Sequence, residues 1–144
     1  MSAEVLEEIK QELGGKWTLD RSESFDEFLE TLGLNIVFRK MAAVAKPVIE
    51  FTIEDNVVNL ISKVSFFNQV MTFKLNEEYT QSFEGIDMKC YSRWEDKKLI
   101  TEATPMVEGK GKPQRFQRER VNDELVQTMT VGDVVCVRVF TKVN

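Results

Sequence analysis

The sequence predicts an all-β domain, a barrel or sandwich of about ten antiparallel strands. Three observations carry that expectation. Beyond Pro47 the chain is a run of strand-like segments separated by short turn signals. Only one stretch, from Ser24 to Ala45, has a strong helical pattern. Close to the end, residues 134–140 alternate so that Cys136, Arg138 and Phe140 share one face, while the valines at 135, 137 and 139 share the other.

Residues 3–13 are compatible with a helix, since Val5, Leu6, Ile9 and Leu13 recur at helical spacing before Gly14-Gly15 stops the pattern. Residues 1–12 are expected to form an N-terminal extension, frayed or loosely docked, ahead of one domain over residues 13–144, with a helix lying against a partner or a barrel end as the alternative. Residues 16–19 read as a short strand. Ser24 is placed to cap a helix, and Glu27 three residues on completes a capping-box pattern. Phe25, Phe28, Leu29 and Leu32 form the apolar stripe of that helix, and Gly33 ends it. A second helix runs from Asn35 to about Ala45 with Ile36, Val37, Met41 and Val44, and Pro47 disfavours its continuation. Strands follow at 48–53, 57–64, 70–75, 78–82, 89–94, 99–103, 115–121, 125–131 and 134–141. Turn signals such as Asp55-Asn56, Phe67-Asn68-Gln69, Asn122-Asp123 and Gly132-Asp133 separate them. The longer loop at 104–114 holds Pro105, Gly109, Gly111 and Pro113.

Composition narrows the function. The chain has 144 residues, 42% hydrophobic and 30% charged, enough for one domain with a real core. A net charge of −5 argues against a general nucleic-acid surface. No apolar run approaches the ~20 residues of a membrane span, and Glu4, Glu7, Glu8, Lys10 and Glu12 interrupt any signal-peptide core. Cys90 and Cys136 match neither a metal spacing nor a disulfide framework, so free thiols in a reducing cytoplasm are expected. Histidine is absent, which removes Ser-His-Asp and Cys-His catalysis and His-ligated metals. With no Gly-rich phosphate loop either, an enzyme, a cofactor and a bound metal are all unexpected.

Arg138 is the informative anomaly. Flanked on its own face by Cys136 and Phe140, its guanidinium needs a partner or water. Buried unpaired it would cost several kcal/mol. If that face is the interior of a closed sheet, the natural partner is an anion, and a ligand carboxylate would serve. Arg118 occupies a similar place in its own strand-like run.

One strand, a helix-turn-helix and nine further strands, with two inward arginines near the end, resembles the intracellular lipid-binding proteins. That family includes the fatty-acid-binding and cellular retinoic-acid-binding proteins. The resemblance covers roughly Leu13 to Lys142. Gly15-Lys16-Trp17 is similar to the family's opening strand, and Ser24-Phe25-Asp26-Glu27-Phe28-Leu29 with Leu32-Gly33 to its first helix and turn. Arg39-Lys40 and Lys46-Pro47 fit the second helix, and Phe73-Lys74-Leu75 and Arg93-Trp94-Glu95 fit middle strands. Residues 124–130 and 133–138 are similar to the closing pair.

The resemblance implies a ten-stranded antiparallel up-and-down β-barrel, flattened like a clam and capped by the helix-turn-helix. It implies one long-chain fatty acid, or a similar hydrophobic acid, held inside, and a monomer of the cytoplasm is expected. A retinoic-acid-type ligand is the alternative, as is a lipid-regulated module that meets a transient membrane or protein acceptor. Two arginines and an aromatic hydroxyl commonly hold the carboxylate. The arginines fall on Arg118 and Arg138; the hydroxyl falls on Phe140, where a tyrosine is usual. With that donor missing, Arg118, Gln127 and ordered water are expected to do more of the work. By alternation the cavity wall is expected to hold Ile49, Leu60, Ser62, Val64, Phe66, Met71 and Phe73 on one side, and Phe116, Met129, Cys136 and Phe140 on the other. Phe25, Phe28, Leu29, Leu34, Phe38 and Ala42 would form the helical underside and entrance.

Other departures from the family pattern are specific. Arg120 shares a face with Arg118 and is expected to mark the strand's exit into water. Glu30 stands where lysine is frequent, which weakens a basic docking face built on Arg39 and Lys40. The 104–114 loop is nearer in length to the retinoic-acid binders, yet Phe67 stands where those usually carry a further arginine.

Overall fold

A computed structural model of the chain describes residues 3–143, apart from Phe66, Glu84 and the side chain of Phe67. The elements run α1 (Ala3–Leu13), β1 (Gly15–Glu23), α2 (Phe25–Thr31), α3 (Ile36–Val44), β2 (Val48–Glu54), β3 (Val57–Val64), β4 (Phe67–Phe73), β5 (Glu78–Phe83), β6 (Ile86–Glu95), β7 (Lys98–Pro105), β8 (Gln114–Val121), β9 (Glu124–Val131) and β10 (Val134–Lys142). The ten strands form one sheet in the order β4-β3-β2-β1-β10-β9-β8-β7-β6-β5. This is the antiparallel up-and-down barrel that the spacing and the resemblance led us to expect. Asp55, Asn122 and Gly132 adopt positive φ of 55°, 56° and 56°, which two-residue hairpin turns favour because they match strand twist.

The barrel leaves β4 and β5 without a ladder between them. Side chains bridge this seam instead. Gln81 Nε2 donates to the Val70 carbonyl at 3.2 Å and Gln69 Nε2 to the Ser82 carbonyl at 3.4 Å. Further along, the Phe73 and Tyr79 rings stack with centroids 5.0 Å apart.

Three sequence expectations need correction. The turn signal at 67–69 lies inside β4, where Phe67, Asn68 and Gln69 pair with Val64, Lys63 and Ser62; the polar pair reads as a turn only until its neighbour strand is known. Ser24 forms no side-chain cap: its backbone is left-handed (φ 61°), whereas a capping residue is typically extended. Asn35 does cap α3: its Oδ1 accepts from the Phe38 amide at 2.9 Å. The third concerns residues 3–13, which are not loosely docked. Leu6, Ile9 and Leu13 are buried in the same apolar cluster as Trp17, Leu99, Leu125 and Phe140. Each such side chain contributes roughly 1.5–3 kcal/mol by leaving water.

Antiparallel register sets the inner face in rows, since directly opposed residues point the same way. One row reads Trp94, Leu99, Arg118, Gln127, Arg138, Ser22 across β6, β7, β8, β9, β10 and β1. On one side of it lies the row Ser92, Thr101, Phe116, Met129, Cys136, toward α2. On the other lies Arg120, Leu125, Phe140, Leu19, toward α1. The arginines therefore occupy a polar belt between two apolar layers.

Candidate ligand-binding site

Apolar side chains from α2, α3 and both walls enclose a cavity of about 390 Å³, within the ~300–1,000 Å³ range of small-molecule sites. The expected Phe25, Phe28, Leu29, Leu34, Phe38 and Ala42 line its helical side. Ile49, Leu60, Ser62, Val64 and Met71 line one wall, and Phe116, Met129, Arg118, Gln127 and Arg138 the other. Phe66 lies outside the described residues.

Three expected wall residues do not reach the cavity. Cys136 is fully buried under α2, packed with Phe28 and Leu29. Phe140 is equally buried in the layer facing α1. Phe73 is spent on its stack with Tyr79 near the seam. Alternation assigns all three to the correct face, but a face longer than the cavity extends beneath the elements that close its ends. Alternation also passes over Gln69, Phe83, Ile86, Met88, Lys112 and Gln114, which do line it. Gln69 is register partner to Ser62, and Met88 belongs to the alternating run Met88, Cys90, Ser92, so both were open to the same reasoning.

The two arginines are held differently. Arg118 is 6% exposed; its Nε donates to Gln127 Oε1 at 2.8 Å, and its Nη1 is the one buried side-chain nitrogen or oxygen without a partner among the described residues. Gln127 Nε2 lies 3.2 Å from Met129 Sδ, a weak acceptor. The Cζ of Arg118 sits 5.6 Å from the Phe116 ring centroid. Burial pushes its pKa down to about 10, which still leaves it charged at neutral pH. Arg138 Nε donates to Ser22 Oγ at 3.0 Å, and its guanidinium lies over the Phe25 ring with Cζ 3.7 Å from the centroid. Burial lowers this pKa to about 10 as well.

Ser22 was not legible as a partner. Before Asp20 the inward positions of β1 are Trp17 and Leu19; a register shift between Leu19 and Arg21 brings Ser22 opposite Arg138. One extra residue in a strand exchanges its faces beyond the bulge. A second polar group inside the barrel also escaped notice. The Tyr79 hydroxyl is 2.6 Å from Ser92 Oγ, which is 2.8 Å from Thr101 Oγ1. Burial raises the Tyr79 pKa to about 12, so this chain is neutral hydrogen bonding rather than charge.

Arg120 is exposed, as expected, with its Nε donating to the Asn122 carbonyl at 3.1 Å. Arg39 Nε pairs with Asp26 at 3.0 Å and its Nη2 with Glu30 at 3.2 Å, so the Arg39 charge of α3 is committed to α2. Burial pushes both Cys90 and Cys136 up to about 11. Because the thiolate is the nucleophile, iodoacetamide at pH 8 is expected to leave both unmodified in the folded protein and to alkylate both in denaturant, read by mass spectrometry. Native-state labelling of either thiol would show that the face beneath α2 or the β5–β6 wall opens.

An apolar chamber with an unsatisfied buried guanidinium donor, inside an antiparallel barrel lidded by two helices, defines a lipid-binding barrel. The match to known proteins makes the class specific: residues 14–143 fit the model of the lipocalin / cytosolic fatty-acid binding protein family, and the chain belongs to that family. It is 34% identical over 132 residues to human cellular retinoic acid-binding protein 2, covering 89% of this chain and 96% of that protein. A fatty acid-binding protein from Drosophila melanogaster brain superposes with a TM-score of 0.81 at 33% identity, covering 89% of this chain and 97% of its own. Lipid binding protein 8 of Caenorhabditis elegans superposes with a TM-score of 0.88 over 99% of both chains; at 24% identity it shows the fold alone.

Proposed function

We propose that this protein is a non-enzymatic cytosolic carrier of long-chain fatty acids, with the carboxylate on Arg118 and Gln127 and Arg138 as the second cation. The single observation that carries this reading is Arg118 Nη1, a buried charged donor with nothing to bond, on the wall of an apolar cavity. A carboxylate accepts from such a fork in the plane of the guanidinium. It meets the donor in a low-dielectric site where the bond is strongest.

Affinity and selectivity come from different parts of the site. Burying about sixteen methylenes at ~0.8 kcal/mol each gives over 10 kcal/mol gross, less the cost of ordering the ligand. A charge-assisted hydrogen bond adds about 1.5–3 kcal/mol. Apolar area therefore holds the ligand, while the arginines choose an acid over an alcohol or ester and fix which end enters first. Val37, Met41 and Val44, exposed on α3, supply an apolar surface for handing the ligand to a membrane or protein acceptor.

A retinoic-acid ligand is the second reading. It is supported by the 34% identity to a retinoic acid-binding protein and by the long β7–β8 loop, whose Gly111 and Lys112 reach the cavity. Native mass spectrometry of protein from its source, followed by competition between oleate and retinoate, tests both. A bound fatty acid and stronger competition by oleate are expected; retention of retinoate against excess oleate would overturn the fatty-acid reading. Failure of both acids to bind would overturn the carrier.

A further inference from the structure

The family match begins at residue 14, so α1 is additional to it, and its position bears on the arginine belt. The helix closes the barrel end on the far side of the row Arg120, Leu125, Phe140, Leu19. Along β8 the inward positions run Phe116, Arg118, Arg120; the first two line the cavity, and Arg120 Nη1 reaches the Gln11 carbonyl of α1 at 3.5 Å. Two strand residues span about 7 Å, so α1 is one side-chain layer from the guanidinium of Arg118. Glu8 Oε1 accepts from Trp94 Nε1 at 2.8 Å, and Trp94 belongs to the arginine row itself, next to Leu99.

The C-terminal end of α1 is fastened to the strands that carry the site. Trp17 Nε1 of β1 donates to the Leu13 carbonyl at 2.9 Å, and Lys142 Nζ of β10 donates to the Gly14 carbonyl. Helix C-terminal carbonyls favour such cationic donors because the macrodipole is negative there. Gly14 makes the tight exit possible: a Cβ at that position would collide with the Lys10 carbonyl. Leu6, Ile9 and Leu13 then complete the apolar layer between the helix and the belt.

We infer that α1 is the floor of the ligand site: it keeps water from the guanidinium belt and so sets how strongly the cavity prefers an acid. The inference rests on the carrier reading above. Its physics is dielectric. A guanidinium hydrated from below keeps part of its water on meeting a carboxylate, and the attraction between the two falls as the local dielectric rises. An apolar tail in the upper cavity feels none of this. Seating of α1 and acid binding are therefore coupled, and the coupling is reciprocal.

The test uses the full chain. Ile9→Asp places a carboxylate at a position 1% exposed and unseats the helix. Oleate affinity is expected to fall at least about fivefold, with oleyl alcohol affinity nearly unchanged. If this variant fails to fold, the wild-type protein answers by linkage: saturating oleate slows hydrogen exchange of the α1 amides by the same factor, and oleyl alcohol does not. Acid and alcohol affinities that fall together, an unseated helix with unchanged acid affinity, or α1 exchange indifferent to oleate would each overturn the floor. Wild-type protein with no preference for oleate over oleyl alcohol would overturn the carrier reading beneath it; oleate preference with indifferent α1 exchange overturns the floor alone.

Discussion

Replacing Arg118 by methionine will make the empty protein more stable and nearly abolish its preference for an acid over the matching alcohol. Arg118 is 6% exposed with Nη1 unpaired, so the empty fold carries the full desolvation cost of one donor. Apolar replacement of a buried ion pair is often stabilising, by about 1–4 kcal/mol, and a buried charge with no counter-ion costs the fold more still. Some of that gain is lost here, because Gln127 Oε1 loses the donor it holds at 2.8 Å; a net gain of roughly 1 kcal/mol is expected. Loss of one or two charge-assisted bonds at about 1.5–3 kcal/mol each lowers oleate affinity by a factor of roughly 10–100 or more. Urea unfolding of the empty protein and displacement titrations with oleate and oleyl alcohol give the two numbers. Lower stability with equal losses for both ligands would mean that the guanidinium is structural. Arg138→Gln should show the same selectivity loss in weaker form, because Ser22 and Phe25 already share that guanidinium.

Phe140→Ala should behave in the opposite way. Phe140 is fully buried in the layer above α1 and makes no contribution to the cavity lining. Truncating a buried Phe costs about 3–5 kcal/mol, a transfer term plus the cavity left behind. Against a total stability of about 5–15 kcal/mol, that is a large fraction, and the urea midpoint should drop steeply. The hole is apolar and closed by Leu6, Ile9 and Leu13, and such holes stay dry. The ratio of acid to alcohol affinity is therefore expected to hold. A collapse of that ratio with little loss of stability would place the Phe140 ring in the head-group site after all. Set beside Arg118→Met, this variant separates what holds the barrel together from what selects its guest.

The same physical difference explains where reading the sequence succeeds. Residues 134–140 alternate on a period of two, and a strand has that period whatever it packs against; Arg138 was therefore assigned to the inside correctly, and so was Cys136. What covers each inward residue is another matter. Cys136 lies under α2 and Phe140 in the layer facing α1, and neither helix announces in its own residues which strand it will cross. Similarly, the amphipathic spacing of Val5, Leu6, Ile9 and Leu13 gives a helix over Ala3–Leu13, but not the partners that bury it. Those include Trp17, Leu99, Leu125 and Phe140, and the chain just after the helix is fastened by Lys142, 128 residues beyond Gly14.

By itself, then, the sequence determined the local and periodic features: strands and turns after Pro47, the two cap helices, and a charge at 118 and 138 where a core strand would place an apolar side chain. Only the tertiary structure decided which inward residues meet the cavity, and that a bulge at Asp20 delivers Ser22 to Arg138. It alone placed Arg118 Nη1 in a buried site with no partner among the described residues. The reason is that period and propensity are properties of neighbouring residues, whereas burial and hydrogen-bond satisfaction depend on segments brought together across the whole barrel.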